Sequence, residues 1–187
     1  MRKIITILAL ASALATGAQV RPYIAAGSEH VIMSAPSPYS DDFQTNAAWR
    51  LGLGAYVPVM KNLYVVPELT YSSFTYNNNG WIPDAQKFRY SQLHLPVVAD
   101  YRLKCSDWLT LDVGAGPFVS YGVGGDAIDK DRLDRWNAGV ALRGRVVLGV
   151  ISVGVSYDMG LLNMLSYYDG SPEMKLSMLG VNFGFSF

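Results

Sequence analysis

Cysteine is almost missing from this chain of 187 residues: Cys105 is the only one, so no internal disulfide can staple the fold. It lies between Lys104 and Ser106 in what reads as a tight turn, with no histidine or acid patterned to activate it, and reads as an incidental thiol. Charge is scarce as well, at 16 % of residues, and favours neither sign. Without a basic excess there is no electrostatic case for nucleic acid as a partner. Long apolar runs are lacking too. Half of all residues are hydrophobic, yet beyond the first few no stretch reaches the roughly 18 residues of a spanning helix, which disfavours a helical membrane protein. The G-x-S-x-G turn that presents a nucleophilic serine is also absent.

What is present begins with a leader. Arg2 and Lys3 precede the mostly apolar stretch 4–15, and Thr16-Gly17-Ala18 offers a cleavage site before Gln19. That is the pattern of a secretory signal peptide over residues 1–18, with an apolar core too short to span a bilayer comfortably. No cysteine follows that core, so a lipid-anchored cleavage site is not expected. Cleavage removes two basic residues and no acids, leaving thirteen basic against fifteen acidic residues, a net charge near −2. Residues 19–187 then suit a single domain.

From about residue 47 onward the chain alternates apolar and polar residues, a period of two that marks half-buried strands. Eight strands are predicted, at 20–28, 47–58, 62–75, 88–103, 108–122, 134–148, 150–162 and 173–187. The connections alternate in length: 29–46, 76–87, 123–133 and 163–172 are long and polar, whereas those near 59–61, 104–107 and 149 are short. The closing stretch sets Leu179, Val181, Phe183, Phe185 and Phe187 on one face and Gly180, Asn182, Gly184 and Ser186 on the other. Elsewhere Leu93, Leu95 and Val97 oppose His94, Asp100 and Arg102, and Val113 and Ala115 oppose Asp112, Gly114 and Gly116. The first strand shows no clear phase.

Eight alternating strands suit either a soluble carrier with an apolar cavity or a membrane barrel with an apolar exterior. The polar face decides. It is small and rich in glycine (Gly52, Gly54, Gly114, Gly116, Gly139 and Gly154 among them), as a narrow interior requires, and lacks the Lys and Glu of a solvated exterior. Trp49, Tyr71, Tyr121, Trp136 and Tyr157 fall near one set of strand ends, and Tyr101, Trp108 and Phe187 near the other, as two interfacial belts. The expected fold is all-β: an eight-stranded antiparallel up-and-down transmembrane β-barrel, with both termini in the periplasm and the long loops outside. Pro67, Pro96 and Pro117 sit inside strands, where each removes a ladder donor, and are expected to sit at bulges or kinks.

Two segments, YSQLHLPVVADYRL at 90–103 and LDVGAGPFVSYGVGG at 111–125, together resemble the PorT-like outer-membrane β-barrel proteins of Bacteroidetes. That family has a strand of the type Y-x-x-[IL]-P followed by one ending in G-A-G-P-aromatic. The stretches VGVSYDMGLLN at 153–163 and GVNFGFSF at 180–187 fit as well, so the resemblance spans the mature chain. It implies the fold and the outer membrane, and leaves the role open. His94 departs from it, because the family usually has an acidic or polar residue there.

The inward face carries Arg50, Arg102, Arg143 and Arg145 against Glu68, Asp100, Asp112 and Asp158, with His94 among them. Four against four is the balance a buried ionic network needs, and a side-chain plug of this kind is preferred to an ion-selective pore lining. His94 with Glu68 and Ser72 or Ser120 is the only set resembling acyl-hydrolase chemistry, and the phase points it away from lipid. No catalytic residue is therefore assigned, and an enzyme acting on lipid remains an alternative, as does a soluble carrier of an apolar ligand. The segment from Asp126 to Asp134 holds four carboxylates, but Lys130, Arg132 and Arg135 interrupt or flank them and no calcium-loop pattern is met, so neither metal nor cofactor is called for. The basic residues Lys87, Arg89, Lys130, Arg132 and Arg135 suit lipopolysaccharide phosphates, and Trp81 in the NNNGW loop suits a binding anchor. Phe183, Phe185 and Phe187 resemble the terminal signal read by the outer-membrane assembly machinery. The expected role is structural, adhesive or accessory-binding through the loops, with an unidentified extracellular or periplasmic protein as a further partner.

Overall fold

A computed structural model describes residues 20–34, 43–45, 47–78, 87–126, 134–164 and 173–187; for 43–45, 47, 76–78, 87 and 88 it describes the backbone alone. The leader at 1–18 with its cleavage site before Gln19, Trp81, Lys130 and Arg132 lie outside the described residues. The strands are β1 (Arg21–Ser34), β2 (Phe43–Thr45), β3 (Ala47–Met60), β4 (Leu63–Asn78), β5 (Lys87–Lys104), β6 (Leu109–Gly124), β7 (Trp136–Leu148), β8 (Ile151–Gly160) and β9 (Lys175–Ser186). Each long strand pairs antiparallel with the next, and β9 returns to β1 over the register Tyr23↔Ser186 to Ser34↔Lys175, so the sheet closes on itself. The three-residue β2 lies on the far end of β4, where Phe43 meets Asn78, and adds no ninth stave. Closure leaves no free edge to template aggregation.

The faces follow the alternation. Outward-facing Leu53, Val113 and Phe183 are 61 %, 59 % and 60 % exposed, whereas inward-facing Arg50 and Asp158 are buried. A soluble carrier has the opposite polarity. Such a belt of Leu, Val and Phe far exceeds the apolar patches that water-facing surfaces tolerate, and it is the surface a hydrocarbon layer accepts. One end of the barrel carries the turns at 61–62, 105–108 and 149–150 together with the start of β1 and the end of β9; the other carries the long connections. The two-residue turn at 149–150 has Gly149 at a φ of 62°, in the left-handed region that glycine enters without a Cβ penalty.

Two expectations are corrected. The first strand is longer than 20–28, running from Arg21 to Ser34, so a third of the expected loop 29–46 is wall. Its inward residues are Tyr23, Ala25, Gly27, Glu29, Val31 and Met33. The interior beside it is polar at one level and apolar at another, so no hydropathy alternation could reveal its phase.

The prolines do not sit at bulges. Pairing lapses between Gly54↔Glu68 and Val57↔Val65, between Pro67↔Val97 and Thr70↔His94, and between Pro96↔Phe118 and Ala99↔Ala115, and it resumes each time in the same register. The register shifts lie elsewhere, between Pro58 and Met60 and between Ser91 and Gln92. The reason is directional. In an antiparallel ladder the N–H and C=O of one residue point to the same neighbour, so a proline disturbs one seam and spares the other. Pro67 keeps its partner Val97, Pro96 keeps Phe118, and Pro117 keeps Val140.

Candidate functional site

The interior is filled in three layers. At the turn end, Tyr23, Tyr56 and Tyr64 cluster with Val66 and Ala25. The Arg102 guanidinium lies 4.7 Å from the Tyr56 ring and 4.5 Å from Tyr64, and that of Arg145 lies 5.0 Å from Tyr56 and 5.5 Å from Tyr23. Both cations thus rest on ring faces, whose quadrupole attracts them most strongly where water is excluded. Each also has its own carboxylate. Arg102 grips Asp112 with two parallel bonds, Nε to Oδ1 at 2.8 Å and Nη2 to Oδ2 at 2.7 Å, and Arg145 pairs with Asp100.

The middle layer is ionic. Arg50 bridges two acids, Nη1 to Glu29 at 2.6 Å and Nη2 to Glu68 at 2.7 Å. The Tyr23 and Thr70 hydroxyls both donate to Glu68. Across the bore Arg143 donates to both Asp158 oxygens, at 2.5 and 3.2 Å. His94 Nε2 lies 3.2 Å from Asp158 but outside hydrogen-bonding geometry, and its ring tilts against Phe118 at 4.7 Å. Buried charges survive only when paired and hydrogen-bonded, because desolvating a lone ion costs several kcal/mol or more.

The loop end is apolar inside. Val31, Met33, Ala48, Phe74, Tyr90, Met164, Met174, Leu176 and Met178 form one buried cluster. Met164 and Met174 reach it from the connection between β8 and β9. There the Met164 amide donates to the Met174 carbonyl at 2.8 Å and the Asp134 amide to the Met164 carbonyl at 2.9 Å, drawing the base of that connection across the mouth. Gln92 closes the join between layers: its Nε2 donates to Ser72 at 3.2 Å and lies 3.0 Å from the Met178 sulfur.

All nine residues singled out from the sequence, Arg50, Glu68, His94, Asp100, Arg102, Asp112, Arg143, Arg145 and Asp158, are on inward faces and are drawn into these clusters. The proposed partnership of His94 with Glu68 is not formed: Glu68 belongs to Arg50, and the nearest acid to His94 is Asp158. Ser120 is the register neighbour of His94, yet neither its Oγ nor either ring nitrogen of His94 has a hydrogen-bond partner, so no proton relay joins them. Sequence reasoning missed Glu29, the tyrosine shelf and the methionine cluster. Glu29 lies within the loop 29–46 that the sequence predicts, and an apolar interior at one level looks, in sequence, like a strand without phase. Phe183, Phe185 and Phe187 face outward at the turn end, with Phe185 and Phe187 edge to face at 5.1 Å and the Phe187 amide donating to the Pro22 carbonyl.

No protein-family model matches the chain, and no curated protein matches it in sequence. Among solved structures the chain is similar to Ail, the attachment invasion locus protein of Yersinia pestis, in complex with the heparin analogue sucrose octasulfate. The identity is 11 %, over 90 % of this chain and 99 % of that one, at a TM-score of 0.49. It is similar also to the outer membrane protein OprG of Pseudomonas aeruginosa (12 % identity, 90 % and 94 % covered, TM-score 0.49) and to Neisserial surface protein A (12 %, 89 % and 97 %, TM-score 0.48).

Proposed function

We propose that the chain is an integral outer-membrane β-barrel protein that works by contact through its long loops, in a structural, adhesive or accessory-binding role, and is not an open porin. One observation carries this reading: every level of the bore is occupied, by stacked tyrosines and arginines, then by ion pairs, then by a methionine-rich cluster. A filled bore transports nothing, which leaves the loop surface as the working part. The leader at 1–18 and the PorT-like motifs support the address. In this reading the turn end is periplasmic and the long connections are extracellular. Outer-membrane lipid and lipopolysaccharide surround the wall, and the assembly machinery reads Phe183, Phe185 and Phe187. The ionic network is structural, and the protein has no catalytic step.

Cys105 supplies the test of orientation, because it is exposed on the turn between β5 and β6. A membrane-impermeant maleimide added to intact cells should leave Cys105 unlabelled and should label it once the outer membrane is permeabilised. In a Cys105→Ser background, Asn78→Cys at the loop end should label in intact cells. Labelling of native Cys105 in intact cells would invert the orientation, and recovery in the soluble periplasmic fraction would remove the protein from the membrane. Photocrosslinkers placed beside Asn78 would then identify what the loops touch.

A further inference from the structure

Of the five basic residues that suit lipopolysaccharide phosphates, Lys130 and Arg132 lie outside the described residues and Lys87 is described by its backbone alone. Arg89 is the one whose guanidinium is held in place. It is exposed near the loop end of β5, and its Nε donates to Ser73 Oγ at 3.3 Å. Ser73 Oγ in turn lies 2.9 Å from Ser91 Oγ across the seam between β4 and β5, where the two serines are register partners. The three side chains converge on one spot. The serines stand in step with Tyr71 and Leu93, on the outward face, yet they are only 6 % and 5 % exposed.

The groups left over at this spot are donors. With Nε on Ser73, both Nη groups of Arg89 are without an acceptor among the described residues. No described carboxylate pairs with Arg89, unlike the four arginines of the bore. Two hydroxyls share one bond, so one O–H of the serine pair is also uncommitted. Beyond Ser91 the register partner on β6 is Gly124, which brings no side chain to compete, and a Cβ there would meet no atom within 4 Å. A guanidinium edge beside a hydroxyl suits an anion with several oxygens, and two parallel N–H bonds match the geometry of a phosphate.

The height on the wall says which phosphate. Trp49 is in register with Ser73, and Tyr71, Leu93, Tyr121 and Trp136 follow one another in register from β4 to β7. Trp49 tilts against Tyr71 at 5.4 Å and Tyr121 against Trp136 at 4.7 Å, and both indoles are exposed. A band of Trp and Tyr of this kind sits at the level of lipid headgroups. The serine pair stands two residues farther toward the loop end, about 7 Å along the strand. That is where lipid phosphates lie.

We infer that Arg89, braced by Ser73 and Ser91, binds a phosphate of one phosphorylated glycolipid in the outer leaflet, which rests on the reading that the loop end is extracellular. The test counts lipid retained by the detergent-folded protein in native mass spectrometry. Its probes are bisphosphorylated lipid A, lipid A freed of its phosphates, and inorganic phosphate. The unaltered barrel should retain one molecule of lipid A and lose it when the phosphates are removed. Arg89→Gln should weaken retention about tenfold or more. Ser73→Ala with Ser91→Ala, which releases the guanidinium, should weaken it by less. Lys104→Gln, which removes an exposed cation at the turn end, should change nothing. Equal retention of the two forms of lipid A, a comparison that needs no variant, would overturn the inference, as would full retention by Arg89→Gln. So would an equal loss in Lys104→Gln, which would mean diffuse attraction to positive charge. Displacement of lipid A by equimolar inorganic phosphate would make this a site for the free ion and would overturn it too. Binding in detergent does not depend on orientation, so an inverted barrel would show in the labelling of Cys105 and not here.

Discussion

Asp158 is the most enclosed of the interior acids, with no exposed surface, and Arg143 supplies all of its aligned hydrogen bonds. Arg143→Ala leaves that carboxylate with a misdirected His94 alone. It should destabilise the barrel by about 3–5 kcal/mol, measured as reversible unfolding in lipid or detergent. Adding Asp158→Ala should recover part of the loss, with a coupling on the order of 0.5–3 kcal/mol, because the double variant no longer buries an unpaired charge. Additive losses would mean that the pair does not act as a pair. The glycines belong to the same scale. A Cβ at Gly116 would overlap the Val97 carbonyl and one at Gly139 the Met159 carbonyl, whereas at outward Gly144 the nearest atom, on Val155, would be 3.6 Å away. Inward glycines are therefore set by the close approach of neighbouring strands and by the crowded interior.

Three of the eight seams, β3–β4, β4–β5 and β5–β6, each lapse beside a proline, and the lapses neighbour one another through Pro67↔Val97 and Pro96↔Phe118. Continuing the register across each gap places Ala55 opposite Pro67, Glu68 opposite Pro96 and Val97 opposite Pro117. The ladder alternation aims these three residues at a proline that has no N–H to return. Amide hydrogen exchange should accordingly be faster at Ala55, Glu68 and Val97 than at Leu53, Tyr71 and Tyr121 in the intact ladder nearby. Equal protection at all six would show that the lapses do not loosen the wall. The seam between β9 and β1, whose twelve register pairs run without a shift, should be among the slowest to exchange.

At the scale of the whole barrel, two fillings of opposite character close one bore. The ionic and aromatic layers hold their charges with directed bonds, and the methionine-rich layer fills its irregular space with flexible thioethers. Planar-bilayer recordings should therefore show no steady porin-like conductance. Met164→Asp together with Met174→Asp, which forces charge into the apolar layer, should raise the frequency of brief openings without creating an ion-selective pore. A large, stable open state in the unaltered protein, with selectivity that follows Arg143 or Arg145, would make the interior a channel lining.

The alternation of Leu93, Leu95 and Val97 with His94 and Asp100, and of Val113 and Ala115 with Asp112 and Gly114, was enough to give strands, faces and an inverted barrel. A period of two is local, and each strand carries it in its own residues. The same logic gave the inward orientation of Arg50, Arg143 and Asp158. It could not say that Arg50 would take two acids or that Glu29 would be one of them. Nor could it show that Pro67, Pro96 and Pro117 would each open one seam without a bulge. Those outcomes join residues far apart in sequence, as Arg50 joins Ser156, 106 positions away. They depend on the stagger with which β9 meets β1, and closing the sheet sets that stagger for every strand at once.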